Sequence, residues 1–219
     1  MKNIVAINVS PRKKGSSAML IERLREDAEK SGNHVSRIDL YSHLKETQAL
    51  FDAVAAADTI VICGPCYVNS YPADTTWLLE ELAGRPGVLH GQDLYGIIQG
   101  GMPYAHTHAS GLNMLRIFSK KTGLVYKGGF VMGLGAMLNG QALGKLPNGR
   151  KVEKQLGIFF GNIRNGVESP DSVYEKAQMK IPGLLAAVLA ASMNKKIDRD
   201  FADRGMDARA PSPYLNEPW

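Results

Sequence analysis

The fold of this chain is decided by an apolar run and the polar turn that follows it, Ile4-Val5-Ala6-Ile7-Asn8-Val9 and then Ser10-Pro11-Arg12-Lys13-Lys14-Gly15-Ser16-Ser17. The nearly unbroken apolar run predicts a strand whose two faces are both covered by helices, as in a parallel sheet. Beyond the turn, Leu20, Ile21 and Leu24 recur at helical spacing among charged residues, which predicts an amphipathic helix. This stretch therefore predicts a strand, a turn and a helix in succession.

The turn has the chemistry of an anion-binding site. A strand that leads through a turn into a helix directs backbone N–H groups, and the positive end of the helix dipole, at whatever lies in the turn. Ser10, Ser16 and Ser17 add hydroxyl donors. Arg12 adds a planar fork of donors suited to phosphate oxygens, and Gly15 leaves space for a close approach. A capped helix beside a solvated basic turn is the alternative that these residues leave open.

Four further strands are predicted from apolar or β-branched segments at residues 35–40, 59–63, 94–98 and within 124–132. Helical patterns between them predict a five-stranded parallel α/β sheet with right-handed crossovers. The segment at 35–40 mixes polar with apolar residues, as an edge strand does, whereas the first and third segments are continuously apolar. This contrast favours the strand order 2-1-3-4-5, in which a ligand binds at the carboxyl ends of the first and third strands.

The composition is that of a globular protein, with 219 residues, 44% of them hydrophobic, and a formal net charge of +5. Lys and Arg are spread along the chain without interleaved aromatic residues, so we expect no nucleic-acid partner. The longest apolar stretch, 184–191, is far shorter than the roughly 20 residues that cross a bilayer, and no secretory leader pattern is present. We therefore expect a cytoplasmic protein with no membrane partner.

The chain is expected to form one domain over residues 1–166 and a C-terminal extension over 167–219, made of a helix and an extended arm that begins at residue 198. Residues 184–191 have no polar face, so we expect either a partner surface or the body of the protein to bury them. We also expect the chain to form a homo-oligomer such as a homodimer. Residues 133–150 are rich in glycine and other small residues, which indicates a mobile flap.

The second loop, directly after the predicted third strand, has the most specific pattern in the chain, with Pro65, Tyr67 and Pro72 at fixed spacing. Together with the first turn it resembles the flavodoxin-like NAD(P)H-dependent FMN reductases and iron–sulfur flavoproteins, whose first turn reads much like Ser-Pro-Arg-Lys-x-Gly-Asn-Thr. The first turn has neither the Gly-x-Gly-x-x-Gly pattern of dinucleotide-binding turns nor the Walker pattern. The resemblance extends over about residues 1–135. Two serines replace the Asn and Thr, and Thr76 stands where the family often has Lys.

This resemblance implies a flavodoxin-like, doubly wound sheet of five parallel strands that binds FMN. The phosphate would lie against the first turn, and the isoalloxazine ring would lie along the second loop and a Gly-rich third loop. The cofactor-binding residues implied are Ser10, Arg12, Ser16, Ser17, Pro65, Tyr67, Val68, Asn69, Ser70, Gly100 and Gly101.

The two cysteines raise a competing interpretation, because Cys63-Gly64-Pro65-Cys66 spells a thioredoxin-type redox pair. In such a pair a helix N-terminus lowers the pKa of the first thiol, whereas Cys63 here ends a buried strand and should be an inert core residue. Two cysteines cannot hold an iron–sulfur cluster. His106 and His108 lack acidic or cysteine partners nearby in the sequence, so we expect no metal site.

The function implied by the resemblance is that of an FMN-dependent NAD(P)H oxidoreductase. It would pass a hydride from NAD(P)H through the flavin to a small acceptor, namely a quinone, a nitro or azo compound, or free flavin. Because the cofactor carries the chemistry, no side chain is expected to act as a catalytic acid or base. The alternatives are a flavodoxin-like electron carrier, which would usually be acidic, and a non-catalytic flavin-binding protein.

Overall fold

The structure is a computed structural model that describes residues 1–179, 182–207 and 210. Its centre is a parallel sheet of five strands in the order β2-β1-β3-β4-β5. The predicted strand order and the flavodoxin-like class are confirmed. The strands are β1 (Asn3–Asn8), β2 (His34–Asp39), β3 (Thr59–Pro65), β4 (Asp93–Gln99) and β5 (Val125–Met132).

The burial of each strand follows its sequence. All seven residues of β3 are buried, and β1 is buried beyond its first residue, whereas β2 alternates because it lies at an edge and pairs only with β1. In the parallel register Asn8 lies opposite Cys63 on one side and Asp39 on the other. The carboxyl ends of β1 and β3 are therefore adjacent, and the loops that follow them begin side by side.

Eight helices accompany the strands in the described part of the chain. Those between strands are α1 (Ser16–Glu29), α2 (Leu40–His43), α3 (Gln48–Ala55), α4 (Ala73–Ala83) and α5 (Ala109–Thr122). Those after β5 are α6 (Gly149–Asn165), α7 (Ser172–Glu175) and α8 (Gly183–Ala202). The single-turn helices α2 and α7 were not predicted, because four residues carry no readable helical period.

Helices cover both faces of the sheet. Adjacent residues of a strand point to opposite faces, and on β4 the hydroxyl of Tyr95 donates to the carbonyl of Val167 just after α6 at 2.7 Å. At Gly96, on the other face, a Cβ would lie 2.7 Å from side-chain atoms of Leu112 and Leu115 of α5. Helix α6 thus lies on one face and α5 on the other, and glycine at position 96 lets α5 approach closely.

The chain divides into two compact units, Met1–Met179 and Lys180–Trp219. The domain boundary that we expect after residue 166 stays a prediction. In the second unit α8 continues to Ala202, so residues 198–202 of the expected arm are helical. Residues 211–219 of that arm lie outside the described residues. None of the helices in the described segments is long and apolar enough to span a membrane.

Several apolar side chains of α8 are exposed, and they could form the contact surface of the expected oligomer. Leu184, Val188, Met193 and Ile197 recur at intervals of four or five residues and are between 46% and 82% exposed. Such a row on a water-facing helix is typical of a surface that a protein partner covers.

We predict that Val188→Asp lowers the molar mass measured by light scattering from that of an oligomer to that of a monomer, because a buried carboxylate would oppose the association. Asn194→Asp places the same charge on the same helix at a polar position and should leave the mass unchanged. A monomeric wild-type protein would contradict the prediction.

Candidate functional site

The first loop is held in shape by its own side chains. The carboxamide oxygen Oδ1 of Asn8 accepts a hydrogen bond from the N–H of Ser10, and the hydroxyl of Ser10 accepts one from the N–H of Arg12, each at 3.2 Å. The amide nitrogen Nδ2 of Asn8 donates to Asp39 at 2.6 Å. Asn8 therefore fixes the loop to the sheet. Its sequence signal is a polar residue inside an apolar run.

Backbone donors of this loop are left without protein acceptors. In the residues that the structure describes, the N–H groups of Lys13, Lys14, Gly15, Ser16 and Ser17 donate to no protein atom. They lead into the N-terminus of α1, where the helix dipole adds partial positive charge. These five N–H groups and the dipole form a cradle for an anion.

Arg12 completes the cradle with an uncompensated cation. Its guanidinium nitrogen Nη1 donates to the side-chain oxygen of Asn139 at 3.2 Å, and within the described residues no carboxylate pairs with it. By contrast Arg37, which donates to the carbonyl of Lys13 at 2.8 Å, already pairs with Glu22 and Asp39. Arg12 is thus the arginine of this loop that is available to a phosphate.

The three serines predicted to bind the phosphate lie in different surroundings. Ser10 and Ser16 line a small cavity beside the loop. Ser17 does not line this cavity; its side chain is buried and its hydroxyl accepts a hydrogen bond from the side-chain amide of Gln99 at 3.4 Å. Because this buried hydroxyl does not line the cavity, only the backbone N–H of Ser17 belongs to the cradle.

Residues 133–140, which we call the strap, lie across the first loop. The hydroxyl of Ser16 donates to the carbonyl of Gly135 at 2.7 Å and accepts from the N–H of Gly140 at 3.4 Å. The strap contains a 3-10 turn, Gly135–Leu138, flanked by Leu134 and Asn139 with φ of 61° and 46°. The expected flap is therefore a bonded turn in this structure. Its mobility stays a prediction.

The cavity beside the first loop has a volume of about 130 Å³. Small-molecule pockets usually have roughly 300–1,000 Å³, so this cavity encloses only part of a ligand the size of FMN. It runs from the first loop to the second loop beneath the strap. Its lining residues are Ser10, Arg12, Gly15, Ser16, Pro65, Tyr67, Gln99, Ala136 and Asn139.

The second loop is a tight turn that projects from the end of β3. Tyr67 and Ser70 exchange backbone hydrogen bonds of 2.7 and 3.2 Å, and Val68 and Asn69 between them have φ of 49° and 67°. Ser110 donates its hydroxyl hydrogen to the carbonyl of Asn69. A β-branched residue such as Val68 rarely adopts the left-handed region, and such strain clusters at ligand sites.

Exposed apolar side chains lie on the three segments next to the cavity, and Tyr67 among them lines it. Tyr67 and Val68 of the second loop, Met102 and Tyr104 of the third loop, and Met137 of the strap are all exposed. The loops that carry them are joined by hydrogen bonds, since the N–H of Leu134 donates to the carbonyl of Met102 at 3.1 Å. Together they form an apolar ledge on which a planar ring system could lie.

The two glycines of the third loop differ in whether their backbone N–H groups are free to bind a ligand. The N–H of Gly100 donates to the carbonyl of Met132 at 3.2 Å, and the carbonyl of Gly100 accepts from Ala136. Gly100 therefore has no free backbone donor for a ring oxygen. Gly101 is exposed, and its N–H has no acceptor in the described residues.

The two cysteines do not form a reactive pair. The Cys63 thiol is fully buried and donates to the carbonyl of Ser17, whereas the Cys66 thiol donates to the carbonyl of Thr107, at 3.5 and 3.4 Å. Burial raises the pKa of both thiols above the usual range. Both are protonated at neutral pH, which opposes the thioredoxin-type interpretation.

His108 lies behind the third loop as a neutral core residue. Its nitrogen Nδ1 lies 3.1 Å from the carbonyl oxygen of Tyr104, which can only accept, so the proton resides on Nδ1. A Cβ on Gly100 would clash with its Nε2, which shows how closely ring and loop are packed. Burial lowers the pKa of His108, and the charge of His106 lowers it further.

The described residues include no group of three or more His, Cys, Asp or Glu side chains that could hold a metal ion. A larger cavity of about 470 Å³ lies beyond β5, between α5 and residues 168–174, and contains none of the predicted site residues.

Residues 2–104, just under half of the chain, match the family described as NADPH-dependent FMN reductase. The resemblance inferred from the first two loops is confirmed. The matched segment contains all of the predicted site residues and ends in the third loop. No curated protein sequence matches the chain.

Solved structures share the fold at low sequence identity. A structure described as an NADH:FMN oxidoreductase (EMOB) in its apo form aligns over 80% of this chain and 94% of its own, with 21% identity and a TM-score of 0.62. The Trp repressor binding protein from Bacillus subtilis aligns over 73% and 98%, with 13% identity and a TM-score of 0.57. A flavodoxin of Streptococcus pneumonia TIGR4 aligns over 75% and 99%, with 15% identity and a TM-score of 0.55. At these identities the likeness concerns the fold.

Gln99 lines this cavity and was not predicted from the sequence as a site residue. The available signal was a polar side chain at the end of an otherwise apolar strand, directly before Gly100. Asn139, which contacts Arg12, was missed for a different reason. It lies 127 residues away in the sequence, and no local pattern indicates the contact.

We predict that the protein loses stability as the pH falls through about 6.5, the usual pKa of an unfolded histidine. The pKa of His108 is lowered in the folded state, so the unfolded chain binds more protons in this range and acidification favours it. When the pH is lowered from 7.5 to 5.5, the unfolding temperature of His108→Gln should decrease less than that of the wild type. His106→Gln removes only the smaller effect of a neighbouring charge on the pKa of His108, so its decrease should lie between those of the wild type and His108→Gln. Equal slopes for the wild type and His108→Gln would contradict the prediction.

Proposed function

We propose that this protein is an FMN-dependent oxidoreductase that takes a hydride from NAD(P)H and passes it to a small acceptor such as a quinone, a nitro or azo compound, or free flavin. The observation that carries the proposal is the cradle of five free N–H groups beside Arg12, which opens into a cavity that ends at Pro65 and Tyr67. The family match over residues 2–104 supports the same assignment.

The residues present fit FMN. A phosphate monoester carries close to two negative charges at neutral pH, and the cradle offers backbone donors, the hydroxyl of Ser10, and an arginine that no carboxylate in the described residues pairs with. The Ser16 hydroxyl already donates to the carbonyl of Gly135. The cavity matches the narrow polyol chain, because it is too small for a whole flavin. The ring would lie outside it, against the apolar ledge.

Bound FMN would supply the chemistry, as acceptor of a hydride from NAD(P)H and donor to the second substrate. The first loop would hold the phosphate, and the second loop would lie against the ring. The N–H of Gly101 is the third-loop donor that remains for a ring oxygen. The neutral His108 behind this loop has no proton-transfer role in the proposal.

The proposal is tested by the visible spectrum and by turnover. The purified protein should show flavin absorption bands, or acquire them after incubation with FMN and desalting. It should then oxidise NADH or NADPH in steady state when a quinone is present in excess. A protein that binds FMN but oxidises neither nucleotide would support the electron carrier or the non-catalytic flavin protein instead.

We predict that Arg12→Ala weakens FMN binding by roughly ten- to a hundredfold, because a hydrogen bond to a charged group contributes about 1.5–3 kcal/mol. Riboflavin, which lacks the phosphate, should bind the variant and the wild type about equally. Quenching of flavin fluorescence on titration with apoprotein measures both affinities.

Arg23→Ala is the matched control for this variant, since Arg23 lies on α1, the helix that follows the first loop, and pairs with Glu153 at 2.6 Å, away from the cradle. It should leave FMN affinity within about twofold of the wild-type value. Equal losses of FMN and riboflavin affinity in Arg12→Ala would refute the assignment of the first loop to the phosphate.

A further inference from the structure

Arg37 of β2 contacts the first loop outside the cavity. Its guanidinium nitrogen Nη2 donates to the backbone carbonyl of Lys13 at 2.8 Å. Ser16 of the same loop lines the cavity, whereas Arg37 lines a separate surface depression together with Lys13 and Lys14. The Lys13 carbonyl is therefore held toward Arg37 and not toward the proposed phosphate site.

This contact sets the direction of one cradle donor. The peptide bond between Lys13 and Lys14 is trans, so its N–H points away from its C=O. Because the carbonyl is held toward Arg37, the N–H of Lys14 is turned to the opposite side of the peptide, and it has no protein acceptor in the described residues. With this peptide reversed, the partial negative charge of the carbonyl would face the anion and oppose its binding.

Two carboxylates fix the guanidinium that makes this contact. Its nitrogens Nε and Nη2 donate to the same oxygen of Asp39 at 3.2 and 2.8 Å, and Nη1 donates to Glu22 at 3.1 Å. A guanidinium is planar and carries its donors in a rigid fork. Because Asp39 and Glu22 hold this fork at two edges, Nη2 of Arg37 stays directed at the loop.

Asp39 connects this contact to the one at the start of the first loop. Its oxygen Oδ1 also accepts from Nδ2 of Asn8 at 2.6 Å, and Asn8 in turn accepts from the N–H of Ser10. The loop is thus held at two points, Ser10 through Asn8 and Lys13 through Arg37. Both connections meet at Asp39, the last residue of β2.

We propose that Arg37 is a positioning residue for the phosphate of the bound flavin, because it fixes the Lys13–Lys14 peptide so that the cradle is formed before the ligand arrives. The inference rests on the proposed function. The charge of Arg37 is balanced by Glu22 and Asp39, so Arg37 acts through the geometry of the loop and not through attraction. Binding to a preformed site avoids the free-energy cost of ordering the loop.

The test uses Arg37→Met, which removes all of the donors. Fluorescence titration of the apoprotein should show FMN weakened by about three- to tenfold, the effect of one hydrogen bond. Riboflavin, which lacks the phosphate, should bind the variant and the wild type equally. An arginine with a purely structural role would instead weaken both flavins alike or neither of them, and either result would overturn the inference.

Removal of Arg37 also leaves two carboxylates without their cation, and their charge would repel a phosphate. The double variant Arg37→Met/Glu22→Gln separates this repulsion from the loss of positioning, because it removes one cation and one anion and leaves the local net charge unchanged. It should weaken FMN as much as Arg37→Met does. Recovery of the wild-type FMN affinity in the double variant would assign the effect to charge and contradict the proposal.

Glu22→Gln alone is the matched control. It removes one ion pair of Arg37 but leaves the two hydrogen bonds to Asp39 and the contact with the Lys13 carbonyl. The affinities for FMN and riboflavin should therefore equal those of the wild type. A loss of FMN affinity as large as that of Arg37→Met would place the effect in the ion pairs and count against the positioning role.

Arg37→Lys keeps the inference testable if Arg37→Met folds poorly. An ammonium retains the charge between Glu22 and Asp39 but lacks the fork that also reaches the Lys13 carbonyl. This variant should lose FMN affinity and keep riboflavin affinity, and an unchanged FMN affinity would overturn the inference. Failure of the wild type to bind any flavin would instead refute the proposed function.

Discussion

The parallel pairing of β1 with β3, with Asn8 opposite Cys63, is the constraint on which the site depends. It sets the first and second loops side by side at the carboxyl edge of the sheet, so that a cradle of free N–H groups faces a strained turn across a narrow cavity. Asn8 is the last residue of β1, and its carboxamide links the first loop to Asp39 of the neighbouring strand. Asn8 therefore links the shape of the first loop to the pairing of β1 with its neighbouring strands.

Local patterns were sufficient to predict the sheet and the first loop. β1 and β3 are continuously apolar because other elements cover them on all sides, whereas β2 is mixed because it lies at an edge of the sheet. The burial of each strand could therefore be predicted from its residue types. The cradle was predictable because its donors are backbone groups, which any strand–turn–helix unit presents in the same way. These features depend on neighbours in sequence.

The features that were not predictable depend on distant contacts. Ser17 was expected to face the phosphate, but the side chain of Gln99, far along the sequence, binds its hydroxyl. Gly100 was expected to bind the cofactor, but the carbonyl of Met132 at the end of β5 accepts its backbone hydrogen. In both places a partner from another strand decides which atoms of the predicted residue are already bonded.

The strap also affects how long a ligand stays in place. Two of its contacts to the first loop, Ser16–Gly135 and Arg12–Asn139, involve side chains that line the cavity, so the strap covers part of any ligand that lies there. Under the proposed function, such a cover lengthens the residence time of the flavin beyond a single catalytic cycle. FMN in the cradle would then act as a prosthetic group, and free flavin, where it is the acceptor, would approach from the open side of the ring without exchanging with the molecule already bound.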